Sequence, residues 1–159
     1  MNFLNFQAVV FDFDGVILNS NAIRISRFGQ VLSPEAMQQK LCNPDFLYPD
    51  TLKLIQSLSG KVPLHIASGA EHNELLWLCE KLELSSHFVS IHGGPTPKYQ
   101  LLGQLLLDCS YEPVKTCLIG DSYSDYEAAL ENGMQFFGYA NPKLKSLDGS
   151  SGWYSEFLL

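Results

Sequence analysis

The chain has 159 residues, 46% of them hydrophobic, which suits one compact domain with an ordinary core rather than two. Ten Lys and Arg stand against seventeen Asp and Glu, a formal net charge of −7, so there is no electrostatic footprint for a nucleic-acid groove or an anionic membrane surface. The start Met1-Asn2-Phe3-Leu4-Asn5-Phe6 lacks the pattern of a secretory leader and no apolar run reaches membrane-spanning length, which sets the expectation of a cytoplasmic protein.

In chain order, residues 7–12 form the first β-type apolar run, ending in Asp12-Phe13-Asp14-Gly15. An insert of about residues 20–48 follows, in which Ser33-Pro34-Glu35 reads as a helix start. Residues 50–58 place Leu52, Ile55 and Leu58 three apart and stop at Gly60, the pattern of a crossover helix. A second strand is expected over residues 63–67, ending in Ser68-Gly69, then a helix over 71–82 and a third strand over 88–91. Gly93-Gly94-Pro95-Thr96-Pro97 leads into Lys98 and a helix over 97–107. The fourth strand, 116–120, closes on Gly120-Asp121, and a helix over 125–132 stops at Gly133 before a fifth strand over 135–139. Residues 141–152 read as loose, and Trp153, Tyr154, Phe157, Leu158 and Leu159 form an apolar group expected to dock on the chain's own sheet edge. This alternation predicts an α/β fold: a three-layer, Rossmann-like parallel sheet of about five strands with helices on both faces.

In such a sheet ligands collect at the carboxyl ends of the strands, and those ends carry the polar residues: Asp12 and Asp14, Ser68 and Gly69, Asp121 and Asp125. Each has an ordinary structural explanation taken alone. Asp125 suits a helix N-terminus, Ser124 with Glu127 makes a capping box, and Ser68-Gly69 is a common strand-to-helix turn. Lys98 resists such an explanation, because the dipole disfavours a cation in the first turn of a helix, and an anion nearby would account for it. Together, the four acids call for a divalent cation, while Ser68, the amides near Gly69 and Lys98 supply donors for an anion. An all-oxygen ligand set favours Mg²⁺. Cys42, Cys79, Cys109 and Cys117 form no C-x-x-C pair and are read as reduced and structural. His65, His72, His87 and His92 share no ligand spacing and stay outside the site.

These segments resemble the haloacid dehalogenase (HAD) superfamily, in particular its phosphatase and phosphoglucomutase-like branch. Val9-Val10-Phe11-Asp12-Phe13-Asp14-Gly15-Val16 matches the hydrophobic strand and D-x-D-G-[TV] motif, and Ser68 the second-motif Ser or Thr. Lys98 matches the third-motif lysine, and Gly120-Asp121-Ser122-Tyr123-Ser124-Asp125 the G-D-S-x-x-D motif. The resemblance implies that Asp12 is the nucleophile forming an aspartyl-phosphate and Asp14 the general acid and base. It further implies Mg²⁺ held by Asp12, the Asp14 backbone carbonyl and Asp121, with Asp125 bound directly or through water, and the phosphoryl group held by Ser68, Gly69 and Lys98.

Asp14 selects phosphatase over dehalogenase chemistry, because an alkoxide leaving group needs a proton and a halide does not. A phosphonate-cleaving reading would need a cap lysine, for which Lys40 is the one candidate in the insert. The insert is too short for the branch's helical cap, so a truncated cap is expected. An open site then suits a phosphorylated substrate, small or bulkier, on a monomer or weak dimer. The alternatives are a phosphotransferase or phosphomutase on the same core, or a non-catalytic phosphate-binding or scaffolding protein.

Overall fold

Ala8, Val9, Val10 and Phe11 are wholly buried, and a run apolar on both faces makes a strand where helices cover both sides of the sheet. This run is β1 (Ala8–Phe11), at the centre of the sheet in a computed structural model that describes residues 2–21, 23 and 33–158. On one side it pairs with β2 (Leu64–Glu71), which pairs with β3 (Ser90–Gly94). On the other it pairs with β4 (Thr116–Gly120), followed by β5 (Gln135–Tyr139) and β6 (Gly152–Tyr154). All five pairings are parallel, in the order β3-β2-β1-β4-β5-β6.

The helices α1 (Pro34–Leu41), α2 (Pro49–Leu58), α3 (His72–Lys81), α4 (Lys98–Cys109) and α5 (Tyr123–Glu131) divide between the two faces. Successive strand side chains point to opposite faces, and the core separates accordingly. Val9 and Phe11 join Met37, Leu41, Leu54, Ile55, Leu75 and Leu78 of the first three helices. Val10 joins Leu102, Leu105, Ala128 and Ala129 of α4 and α5. Strand order reverses at β1, which opens a crevice at the carboxyl ends of β1, β2 and β4.

The sheet has six strands where about five were expected. The extra one, β6, is three residues long, too short for a periodic pattern to register, and follows the stretch read as loose. It docks the terminal apolar group on the edge of β5: Phe157 is buried and stacks on Tyr139, whereas Leu158 is exposed. Leu159 lies outside the described residues. β3 begins two residues later than expected because a 3₁₀ turn, Ser85–His87, occupies the approach. β2 runs on to Glu71, whose carboxylate caps α3 by accepting from the Asn73 and Glu74 amides.

Ser33 caps α1 as expected, its Oγ accepting from the Ala36 amide at 3.1 Å. Within the insert, Met37, Leu41 and Leu47 are buried in the main core, while residues 22 and 24–32 lie outside the described residues. Among the described residues no helix is long and apolar enough to cross a membrane.

Asp50, in the first turn of α2, fastens the C-terminal segment to the core. Its carboxylate accepts from the buried Tyr139 hydroxyl at 2.8 and 2.9 Å and from the Phe157 amide at 2.8 Å. Asp50→Ala would strand both donors, and a loss of roughly 2–4 kcal/mol is expected from urea denaturation. A loss below about 1 kcal/mol would show that the tail is held by its apolar contacts alone.

Candidate active site

The crevice holds a cavity of about 590 Å³ whose lining includes Asp12, Asp14, Ser68, Gly69, Lys98, Asp121 and Asp125. All seven residues picked out in the sequence therefore meet in one place, and strand topology is the reason. Asp12 follows β1 at the sheet's centre, Ser68 lies in β2 on one side, and Asp121 follows β4 on the other.

Asp12 is anchored as its strand ends. Its amide donates to the Ile119 carbonyl at 2.9 Å, and its Oδ1 accepts from the Phe13 amide at 2.8 Å and from Lys98 Nζ at 2.9 Å. The chain then folds back sharply: the amides of Val16, Ile17 and Leu18 all donate to the Phe13 carbonyl. Gly15 takes φ of 84° in this turn, and a Cβ there would stand 1.8 Å from Asp121 Oδ2. Glycine thus supplies both the turn and the space for Asp121. Asp14 faces the cavity, with Ser20 Oγ donating to its Oδ1.

Ser68 is buried, and its Oγ accepts from the Ala70 amide at 3.1 Å. A Cβ on Gly69 would meet nothing within 4 Å, so the backbone there is open to a ligand. Asp125 is fixed more firmly. Its Oδ2 accepts from the Asp121 and Ser122 amides at 3.2 and 3.3 Å, Ser122 Oγ accepts from the Asp125 amide at 3.2 Å, and Oδ1 accepts from Lys98 Nζ. The capping box of α5 is therefore Ser122 with Asp125, not Ser124 with Glu127. Helix α5 starts two residues earlier than expected, which shifts the cap.

The electrostatics follow from burial. One oxygen from each of Asp12, Asp121 and Asp125 lies within 4.8 Å of the others, with Lys98 between Asp12 and Asp125. Burial, opposed by Lys98 and reinforced by Asp125, holds the Asp12 carboxyl well above its ordinary range. Asp121 is raised as well, by burial first. Burial would lower the Lys98 ammonium, but the charges of Asp12 and Asp125 together override it and raise the group. Three clustered carboxylates against one ammonium leave an excess of negative charge in a desolvated site. Oxygen donors at this spacing, with no thiolate or imidazole among them, fit a hard divalent cation.

Sequence reasoning missed three residues that support the site. Ser20 holds Asp14, Asn21 Nδ2 donates to Asp121 Oδ2 at 3.2 Å, and Asn141 Nδ2 donates to the Asp121 carbonyl at 2.9 Å. Asn141 follows the carboxyl end of β5, and inspecting that strand end like the others would have flagged it. Among the described residues no histidine lines the cavity; buried His65 bonds Ser90 and Tyr111, and burial pushes it down to about 4.

No protein-family model and no curated protein matches the chain. Solved structures do. A HAD-superfamily hydrolase, subfamily IA, variant 1, from Geobacter sulfurreducens superposes with a TM-score of 0.76 at 19% identity, covering 95% of each chain. The HAD-hydrolase YfnB from Bacillus subtilis, bound to magnesium, gives 0.75 at 13% identity over 96% of this chain and 95% of that one. CbbY from Rhodobacter sphaeroides in complex with phosphate gives 0.72 at 15% identity over 96% and 95%. The chain has the haloacid dehalogenase-like fold, as its motifs led one to expect.

A carboxyl raised in the folded state takes up its proton there before the unfolded chain does. Its contribution to stability is therefore present at low pH and lost as pH rises through the raised value. Asp12→Asn removes that loss while keeping an acceptor for Phe13 and Lys98. In EDTA the stability of the variant relative to the wild type, read from urea midpoints, is expected to rise as the pH is raised above the ordinary carboxylate range. A pH-independent difference would contradict the raised Asp12 carboxyl.

Proposed function

We propose that the protein is a Mg²⁺-dependent phosphatase that hydrolyses a phosphate monoester through an aspartyl-phosphate on Asp12. The observation that carries this reading is the convergence, in one cavity, of the buried Asp12–Lys98–Asp125 cluster with Asp121, Asp14 and Ser68. Neighbours of the same fold described as bound to magnesium and to phosphate support it.

In this reading Asp12, Asp121 and the Asp14 backbone carbonyl hold the metal. When bound, it would neutralise charge on the carboxylates and on the phosphoryl oxygens. Asp125 orients Lys98 and, with both oxygens already bonded inside the protein, reaches the metal directly or through a water. Lys98, the Ser68 hydroxyl and the amides around Gly69 bind the transferring phosphoryl oxygens.

The Asp12 carboxylate attacks phosphorus, the ester P–O bond breaks, and its electron pair leaves on the alcohol oxygen, which takes the proton of Asp14. Asp14, now ionised, accepts a proton from water as that water attacks the acyl-phosphate. The bond between phosphorus and Asp12 breaks, returning the carboxylate and releasing phosphate. Ser20 keeps Asp14 turned toward the cavity for both steps. Of the insert's described residues, Met37 and Leu41 are committed to the core and Asn21 lines the cavity.

A panel of phosphomonoesters tests this. Hydrolysis is expected with Mg²⁺ and loss of it in EDTA; turnover that persists unchanged in EDTA would refute the metal assignment. Asp14→Ala is expected to lower kcat/KM, which reports the steps up to departure of the alcohol, by roughly 10²–10⁴-fold on alkyl phosphates and much less on p-nitrophenyl phosphate, whose leaving group needs no proton. Equal losses on both substrates would remove Asp14 from the acid role.

A further inference from the structure

The bond from Asn141 to Asp121 is one link of a longer path. After β5 the chain turns through Ala140, whose φ of 63° puts a non-glycine residue in the left-handed region at a cost of about 1 kcal/mol. Two short bonds impose that turn: the Ala140 amide donates to the Tyr154 carbonyl and the Asn141 amide to the Tyr139 carbonyl, each at 2.7 Å. The turn delivers Asn141 Nδ2 to the Asp121 carbonyl. The backbone carbonyl of Asn141 accepts the indole N–H of Trp153, in β6, at 2.8 Å. The Lys145 ammonium closes over that indole at 4.4 Å.

Asp121 sits in a narrow slot. Its carboxylate clears Gly15 only because no Cβ is there, and Asn21 holds one of its oxygens. On the backbone that carries it, Asp125 Oδ2 accepts from the amide and Asn141 holds the carbonyl. A shift of even a few tenths of an ångström at that carbonyl would move the carboxylate within a site where placement governs affinity.

We propose that Asn141, locked in place by Trp153 of the edge strand, is a positioning residue for Asp121, so that the C-terminal strand sets the affinity of the site for its divalent cation. The inference rests on the reading that Asp121 holds the metal. The simpler role for Asn141 is to cap the 3₁₀ turn Pro142–Leu144, since its Oδ1 accepts from the Lys143 amide at 3.1 Å.

Two variants of the full chain separate these roles. Asn141→Ser keeps a capping oxygen, because Ser and Asn cap comparably, but is too short to reach the Asp121 carbonyl. Trp153→Phe keeps the ring beneath Lys145 and loses the indole donor. Calorimetric titration with MgCl₂ alone, without substrate, is expected to show the Kd for Mg²⁺ rising about 10-fold in Asn141→Ser and by a smaller factor in Trp153→Phe. Urea midpoints should stay close to that of the wild type, and kcat at saturating Mg²⁺ should recover to within about twofold. Unchanged Kd in both variants would overturn the positioning role and leave Asn141 as a cap. Absence of Mg²⁺ binding by the wild type would instead overturn the metal reading beneath it.

Discussion

One ammonium shared by two buried carboxylates governs the site. Lys98 Nζ bonds Asp12 and Asp125 with only 14% of its side chain exposed, and Asp121 stands within reach of both acids. Removing one partner from a buried ion pair typically costs about 3–5 kcal/mol, because the other charge is left uncompensated. The cluster is therefore anchored by the scaffold rather than by mutual attraction alone: Asp125 by two backbone amides and a capping serine, Asp12 by the amide of Phe13. Lys98 stays charged through this arrangement, and a charged donor is what a phosphoryl group requires.

The same crowding explains the glycines. At Gly15 and Gly120 a Cβ would stand within 3 Å of Asp121 and Asp125 respectively, so the motif glycines leave room for the acids they accompany. Desolvation holds Asp12 and Asp121 above their ordinary range, and a bound cation would reverse that by favouring the ionised forms. Stability and ligation are thus coupled: a ligand that binds only the folded state adds its binding free energy to the stability of the fold.

Most of the candidates were legible in the sequence because they lie near or just beyond the carboxyl ends of strands of a parallel sheet, and parallel strands with helical crossovers bring such ends to one edge. Lys98 was legible for a different reason, as a cation placed where a helix dipole disfavours it. The supporting residues were not. Ser20 and Asn21 lie beyond a turn whose tightness, with three amides on the Phe13 carbonyl, no periodicity reveals. Asn141 depends on β6, a strand of three residues whose partner is an edge, and on a left-handed alanine that the sequence does not mark. The cap of α5 lies two residues earlier than expected because Ser122 and Ser124 are equally plausible N-caps by type, and the reciprocal bonds between Ser122 and Asp125 are what the structure makes.

The proposed function turns on covalent phosphorylation of Asp12, and the most direct measurement is peptide mapping by mass spectrometry of the protein quenched in acid after mixing with a phosphomonoester and Mg²⁺. Asp14→Ala, which should slow breakdown of the acyl-phosphate, serves as the trapping background, with a substrate whose leaving group needs no proton. The expected result is a phosphoryl adduct on the peptide containing Asp12, discharged by hydroxylamine and absent from the Asp12→Asn,Asp14→Ala double variant. An adduct on another residue, or phosphate release at full rate with no adduct in the trapping background, would contradict it.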